Sequence, residues 1–308
     1  MLGRIFNYET SRKFRSFLSR HGVSLRFSAN TRPVDFTDQP GIDPIAAIYQ
    51  AGGRPVLLKV PLKDCVFFSH LAFPCTPDSP SPQIQTLIEY GKGNIKNWEE
   101  SPLVDFYNNF QPKNAAEMMG ISFEQPHELE IHPPISAILP WEKHSPIEIG
   151  NMLRKINRSE ANQYKAKNKP NPNDSPISGP VSDAKIELEF IRFIKTFQSL
   201  KKRGLVVNPE GIENIEATVL RKNQNNRFYI TNGQHRAAAL SALSSETITI
   251  QLNNSGCGGK VDITESKYWP QVVNGRLDVA VAEQIFNRIF EAKQPLAYIQ
   301  RRASEFQL

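Results

Sequence analysis

Five consecutive residues, Asn232-Gly233-Gln234-His235-Arg236, put a permissive glycine, an imidazole and a guanidinium within one turn of chain. That combination suits an anion. A glycine lets backbone approach a phosphate, and successive N–H groups can point at its oxygens. Arg236 can pair with phosphate in bidentate fashion, and His235 can donate a hydrogen bond or, protonated, a charge. Gln234 adds a donor for a phosphate or a base edge, and Thr231 leads into the turn, so the binding set runs Thr231, Asn232, Gly233, Gln234, His235 and Arg236. The same residues also suit a plain helix start with Arg236 in a salt bridge.

The neighbouring sequence decides where that turn sits. Phe228 and Ile230 alternate with Arg227, Tyr229 and Thr231, which predicts a strand. The Ala237-Ala238-Ala239-Leu240 run then predicts a helix, so backbone N–H groups gather at a helix N-terminus, where anions bind. Upstream, Ile215–Leu220 reads as a strand and Arg221–Asn226 as a polar hairpin turn; downstream, Thr247–Leu252 alternates again. Ser182–Arg203 predicts a long helix capped by Ser182 and ended by Gly204, with Ile186, Phe190, Phe193, Ile194, Phe197 and Leu200 inward. A short strand is expected at Ile135–Leu139, followed by a helix from Pro146 to about Ile156. The Asn-, Lys- and Pro-rich stretch at 157–180 reads as a mobile insertion or lid.

Earlier in the chain, strands are expected at Pro55–Pro61 and Cys65–Phe68, and helices at Ile84–Tyr90, Pro102–Phe110 and Ala115–Met119. Phe106, Tyr107 and Phe110 read as core packing rather than a base-stacking surface. An amphipathic helix at Ser11–Arg20 would pack on the body through Phe14, Phe17 and Leu18. A last helix is expected from about Asp278, with Val281, Ile285, Phe286, Ile289 and Phe290 inward.

Composition sets the outer limits. A chain of 308 residues with 39% hydrophobic and 22% charged content reads as a soluble globular protein with a substantial core. A net charge of +6 and a pI of about 9.1 suit phosphate-bearing ligands or nucleic acid, and equally ordinary solubilising charge. Cys65, Cys75 and Cys257 make no CxxC pair, which speaks against a zinc site or disulfide framework and for reduced thiols in a cytoplasm. No apolar run is long enough for a membrane span, and the first residues lack an apolar signal core.

Taken together, residues 212–252 resemble the ParB/sulfiredoxin superfamily, whose members carry a strand ending in a Gly-x-x-Arg turn that opens an Ala- and Leu-rich helix. Asn232-Gly233-Gln234-His235-Arg236 is most similar to the Asp-Gly-Gln-His-Arg motif of the DndB-like group of DNA phosphorothioation systems. The resemblance implies an α+β fold: a ParB/sulfiredoxin-like mixed sheet with packed helices over 131–253, an N-terminal α/β accessory region over 1–130 and a helical extension over 254–308. It implies a nucleoside di- or triphosphate at the turn, with Mg2+, and His235 as a catalytic residue. Glu142 stands where the first box of this fold would lie and is the expected base for an acceptor hydroxyl, with Lys143 and His144 as phosphate contacts. Gln234 replaces the sulfiredoxin cysteine, which argues against sulfinic-acid repair, and Asn232 replaces an Asp of the relatives. The expected activity is an NTP-dependent hydrolase or phosphotransferase acting on a small molecule or glycan precursor. The alternative is a DndB/ParB-like DNA-associated module without chemistry of its own.

Overall fold

The computed structural model describes residues 32–124, 127–163, 170–171, 173–211, 213–253 and 259–299. The expected helix at Ser11–Arg20, Lys167 to Lys169 and Cys257 lie outside the described residues. The strands are β1 (Val34–Asp35), β2 (Val56–Pro61), β3 (Cys65–Phe67), β4 (Phe73–Pro74), β5 (Glu216–Lys222), β6 (Asn225–Asn232), β7 (Thr247–Leu252) and β8 (Lys260–Asp262). The helices are α1 (Pro44–Gln50), α2 (Pro82–Lys92), α3 (Pro102–Asn109), α4 (Ala115–Met119), α5 (Glu128–Ile131), α6 (Pro146–Gln163), α7 (Asp183–Arg203), α8 (Gln234–Ala242), α9 (Pro270–Val273) and α10 (Val279–Phe290).

The strands form one mixed sheet in the order β1-β2-β7-β5-β6-β3-β4, with β8 also on β5, and the fold is α+β as expected. β5 shares one edge between two parallel partners: Glu216 and Ala217 face β7, while Val219–Arg221 face β8. Its other edge carries β6, antiparallel through a tight turn at Asn223 and Gln224, both in the left-handed region at φ 50° and 64°. β6 is therefore interior, held by β5 on one side and by parallel β3 on the other. The regions expected at 1–130, 131–253 and 254–308 each contribute strands to this one sheet, since β2 pairs with β7, β3 with β6 and β8 with β5.

Helix α8 leaves the end of β6 and packs against α7 and α2. Ala237, Ala238 and Ala239 are all fully buried, so neighbours crowd the helix on several sides. Small side chains make that close packing feasible. Helix α7 presents Ile186, Phe190, Phe193, Ile194, Phe197 and Leu200 to the core and stops at Gly204, as its sequence predicts. Phe106, Tyr107 and Phe110 are buried in a ring cluster with Tyr298 and Phe68.

Two expectations are corrected. Ile135–Leu139 is not a strand: Pro134–Ser136 is a 3-10 turn in which Ser136 N–H donates to Pro133 O (2.8 Å) and Ala137 N–H to Pro134 O (3.1 Å). Pro133 and Pro134 have no N–H to give a ladder, and the chain closes on itself locally. Nor is 157–180 a lid in its described parts. Helix α6 runs on to Gln163, and residues 174–179 are tucked under α3, where Ser178 is fully buried, Gly179 N–H donates to Phe110 O (2.8 Å) and Tyr107 Oη donates to Pro176 O (3.1 Å).

Candidate functional site

The β6–α8 junction is built as its sequence predicts. Gly233 caps α8 from the left-handed region (φ 82°, ψ 26°), and no side chain caps the helix start. The N–H groups of Arg236 and Ala237 both donate to Gly233 O, at 2.9 and 3.0 Å. Asn232, Gly233, Gln234, His235 and Arg236 are half-buried and Thr231 is exposed, so the turn meets solvent. A Cβ on Gly233 would stand 2.8 Å from Nη2 of Arg236 and 3.0 Å from Cγ1 of Ile215, so glycine serves both conformation and space here.

Arg236 bends back over this glycine. Its guanidinium donates to Glu213 O and, at 3.3 Å, to Asn214 O. It thereby ties the loop between α7 and β5 to the start of α8. That loop is itself fixed: buried Asn214 donates Nδ2 to Asn208 O and Gln251 Oε1, both at 2.9 Å. The guanidinium expected to clamp phosphate is thus engaged as a strap between two segments of main chain.

His235 is held from below. Its Nε2 lies 3.1 Å from Oε2 of Glu189, and its ring centroid is 4.2 Å from that of Phe193. Glu189 is buried, and its Oε1 accepts from Nζ of Lys185 (2.7 Å) and Nη1 of Arg192 (2.8 Å). Burial alone would raise the Glu189 carboxyl, but Lys185, Arg192 and His235 outweigh it and hold it well below the usual carboxylate range. An ionised carboxylate only accepts, so Nε2 of His235 is the donor.

The polar chain continues inward. Nζ of Lys185 also donates to Oδ1 of Asn157 (3.3 Å), and Nδ2 of Asn157 donates to Asp174 O. Asp174 in turn accepts from Ser182 Oγ (2.5 Å) and from the N–H groups of Asn171 (2.9 Å) and Ser182 (3.2 Å). The hydroxyl expected to cap α7 is thus spent on Asp174. Lys185, Glu189, Asn157 and Asp174 were not among the residues singled out from the sequence. The signal was there: Lys185, Glu189, Phe193 and Phe197 recur every four positions, so two charges share a stripe with two core phenylalanines.

Glu142 lives in a different neighbourhood. Its Oε1 accepts from the N–H groups of Lys143 (3.0 Å) and His144 (3.4 Å), and His144 Nδ1 is 3.6 Å away. Gln271 of α9 donates to the main-chain oxygens of Glu142 and His144. Trp141 beside it packs edge-on against Tyr229, Trp269 and Phe286. Glu142, Lys143 and His144 are therefore anchored to the C-terminal helices, while the partners of His235 come from α7.

Comparison of the chain with family models, with curated proteins and with solved structures finds no match. Among the described residues, no three His, Cys, Asp or Glu side chains converge as a metal site, and no helix is long and apolar enough to cross a membrane.

Proposed function

We propose that the Asn232–Arg236 turn binds the phosphates of a nucleoside di- or triphosphate, in a cytoplasmic, ParB/sulfiredoxin-like protein that hydrolyses the nucleotide or transfers its phosphoryl group to a small molecule or glycan precursor. The observation that carries this reading is the pairing of His235 with buried Glu189 at a helix start that no side chain caps. A helix N-terminus and an oriented imidazole both favour negative charge, and a glycine lets a phosphate approach the backbone. The carboxylate oxygens of Glu189 are taken by Lys185, Arg192 and His235, so these residues do not fit a resident metal. A magnesium ion here would arrive with the phosphates.

In this reading His235 replaces Glu142 as the proton-handling group, because the carboxylate that orients it is Glu189. The test is a thermal-shift panel of ATP, ADP, CTP and GTP with magnesium. A nucleotide at about 100 times its Kd stabilises the native state by about 2.7 kcal/mol, enough to raise the midpoint by several degrees. The rise should persist in Glu142→Gln and vanish in His235→Asn. If none of the four nucleotides moves the midpoint, the reading is wrong.

A further inference from the structure

We propose that a cleft beside α10 docks a short extended peptide segment bearing an aliphatic side chain and a Lys or Arg. The cleft lies away from the Asn232–Arg236 turn. Its wall residue Glu291 is 3.6 Å from Nζ of Lys222, which pairs with Asn225 at the opposite end of β6 from Asn232. The inference therefore stands apart from the nucleotide reading.

The cleft has a volume of about 610 Å³, inside the range of about 300–1,000 Å³ usual for ligand sites. Its polar wall is one face of α10, where Glu283, Gln284 and Asn287 recur at helical spacing; Ile285, Phe286 and Ile289 of the same helix are buried in the core. Its apolar wall comes from Leu296 and Ile299, large aliphatic side chains that keep 64% and 46% of their exposure. Arg288 fixes the surroundings. Its guanidinium donates to His70 O (2.7 Å), Lys293 O (3.0 Å) and Met119 O (3.1 Å), so the turn at Ser69–Leu71, the chain after α10 and the end of α4 are tied to one side chain. A cleft held in this way loses little freedom when it is filled.

Three features define the occupant. The first is Asn287, whose Oδ1 is buried without a hydrogen-bond partner. Such a group is costly to leave unmade, and a peptide group serves it: the N–H donates to Oδ1 and the C=O accepts from the same carboxamide. The second is the exposed pair Leu296 and Ile299, which an aliphatic side chain would cover. The third is charge. Glu291 is met by Lys293 (2.7 Å) and Lys222 (3.6 Å), whereas Glu283 accepts from Ser266 Oγ (2.5 Å) and pairs with no Lys or Arg among the described residues. Glu283 thus has a charge to offer a cation. It stands one helical turn from Asn287, roughly 5.4 Å along the axis, which about two residues of extended chain span. One short segment therefore reaches both. A fatty acid would set its carboxylate against Glu283, and a simple amine would leave Asn287 unserved.

The test titrates the full chain into dye-labelled, capped heptapeptides and follows fluorescence polarisation. Each peptide is a serine chain with Leu at its centre and one Lys, Arg, Gln or Glu at another position. The expected result is saturable binding of Lys or Arg peptides, roughly tenfold or more tighter than their Glu counterparts. Glu283→Gln should remove that preference for charge, and replacing the central Leu by Ser should abolish binding. Asn287→Leu should weaken every peptide by roughly tenfold while unfolding no earlier than the unaltered protein, because it deletes an unpartnered buried oxygen. Glu283→Gln preserves size and shape, so the charge test stands even if Asn287→Leu does not fold. No saturable binding by any peptide overturns the proposal. So does binding that ignores the charged position, or that is unchanged in Glu283→Gln.

Discussion

Lys185 and Glu189 stand one helical turn apart on α7 with Nζ and Oε1 at 2.7 Å, and their side chains keep only 1% and 6% of their exposure. A charge pair this deep stabilises little against an apolar pair of the same size, but breaking it strands a charge. Glu189→Leu should therefore cost about 3–5 kcal/mol, because Lys185 loses the carboxylate it faces. Lys185→Met combined with Glu189→Leu should be more stable than Glu189→Leu alone. Urea denaturation of the three proteins checks this, and a double variant less stable than the single one would contradict it.

Gly233 is the second sensitive point. Alanine there costs about 1–2 kcal/mol for the left-handed backbone alone, and its Cβ would press on the Arg236 guanidinium. The expected outcome is a modest loss in urea midpoint together with loss of the nucleotide-dependent thermal shift. A variant destabilised to the same degree but still shifted by nucleotide would show that the close approach of backbone to phosphate is not needed.

The β6–α8 unit was legible because every signal in it is local. Period-two alternation, an Asn-Gly pair and an alanine run each act over a few residues, and they agree. The buried ion pair was missed for a different reason: charges on a helix are normally solvated, and only the spacing of Lys185 and Glu189 against Phe193 marks them as inward. Ile135–Leu139 was misread because its apolar residues suit a strand while Pro133 and Pro134 remove the donors that a strand would use. The joining of β2 to β7 and β3 to β6 was invisible, since pairing between distant segments leaves no local pattern.

Gly179 tests the correction made to the 157–180 stretch. A Cβ there would lie 1.7 Å from the main-chain oxygen of Tyr107, so either α3 or the segment beside it must move. Gly179→Ala should lose at least about 2 kcal/mol, toward the upper end of the overpacking range. The urea midpoint measures it. A neutral substitution would mean that the segment is a loose cover after all.

Acid should destabilise the fold before most carboxylates titrate. His70 is fully buried, and burial, with help from Arg288, pushes it down from 6.5 to about 3. Its unfolded form takes up a proton near 6.5 and its folded form does so only near 3, so stability is fully present above 6.5 and falls as pH drops toward 3. One such group contributes a slope of up to about 1.4 kcal/mol per pH unit. Glu189, depressed in the fold, acts in the same direction at lower pH. The thermal midpoint of the unaltered protein should drop more steeply between pH 6.5 and 4 than that of His70→Gln; parallel curves would remove His70 from the account.

The order of strands in the sheet has a consequence for how the molecule comes into being. Val56 pairs with Leu252 and Cys65 with Phe228, so β2 and β3 leave the ribosome long before their partners exist. Until β6 and β7 are made, the nascent chain carries apolar strands with open edges, the kind of surface that chaperones cover and that aggregates when they do not. The Asn232–Arg236 turn is reached only after that wait. Its glycine corner takes shape when the late β5–β6 hairpin docks its second strand on early β3, which makes slow, non-local closure of the sheet the step that completes the corner.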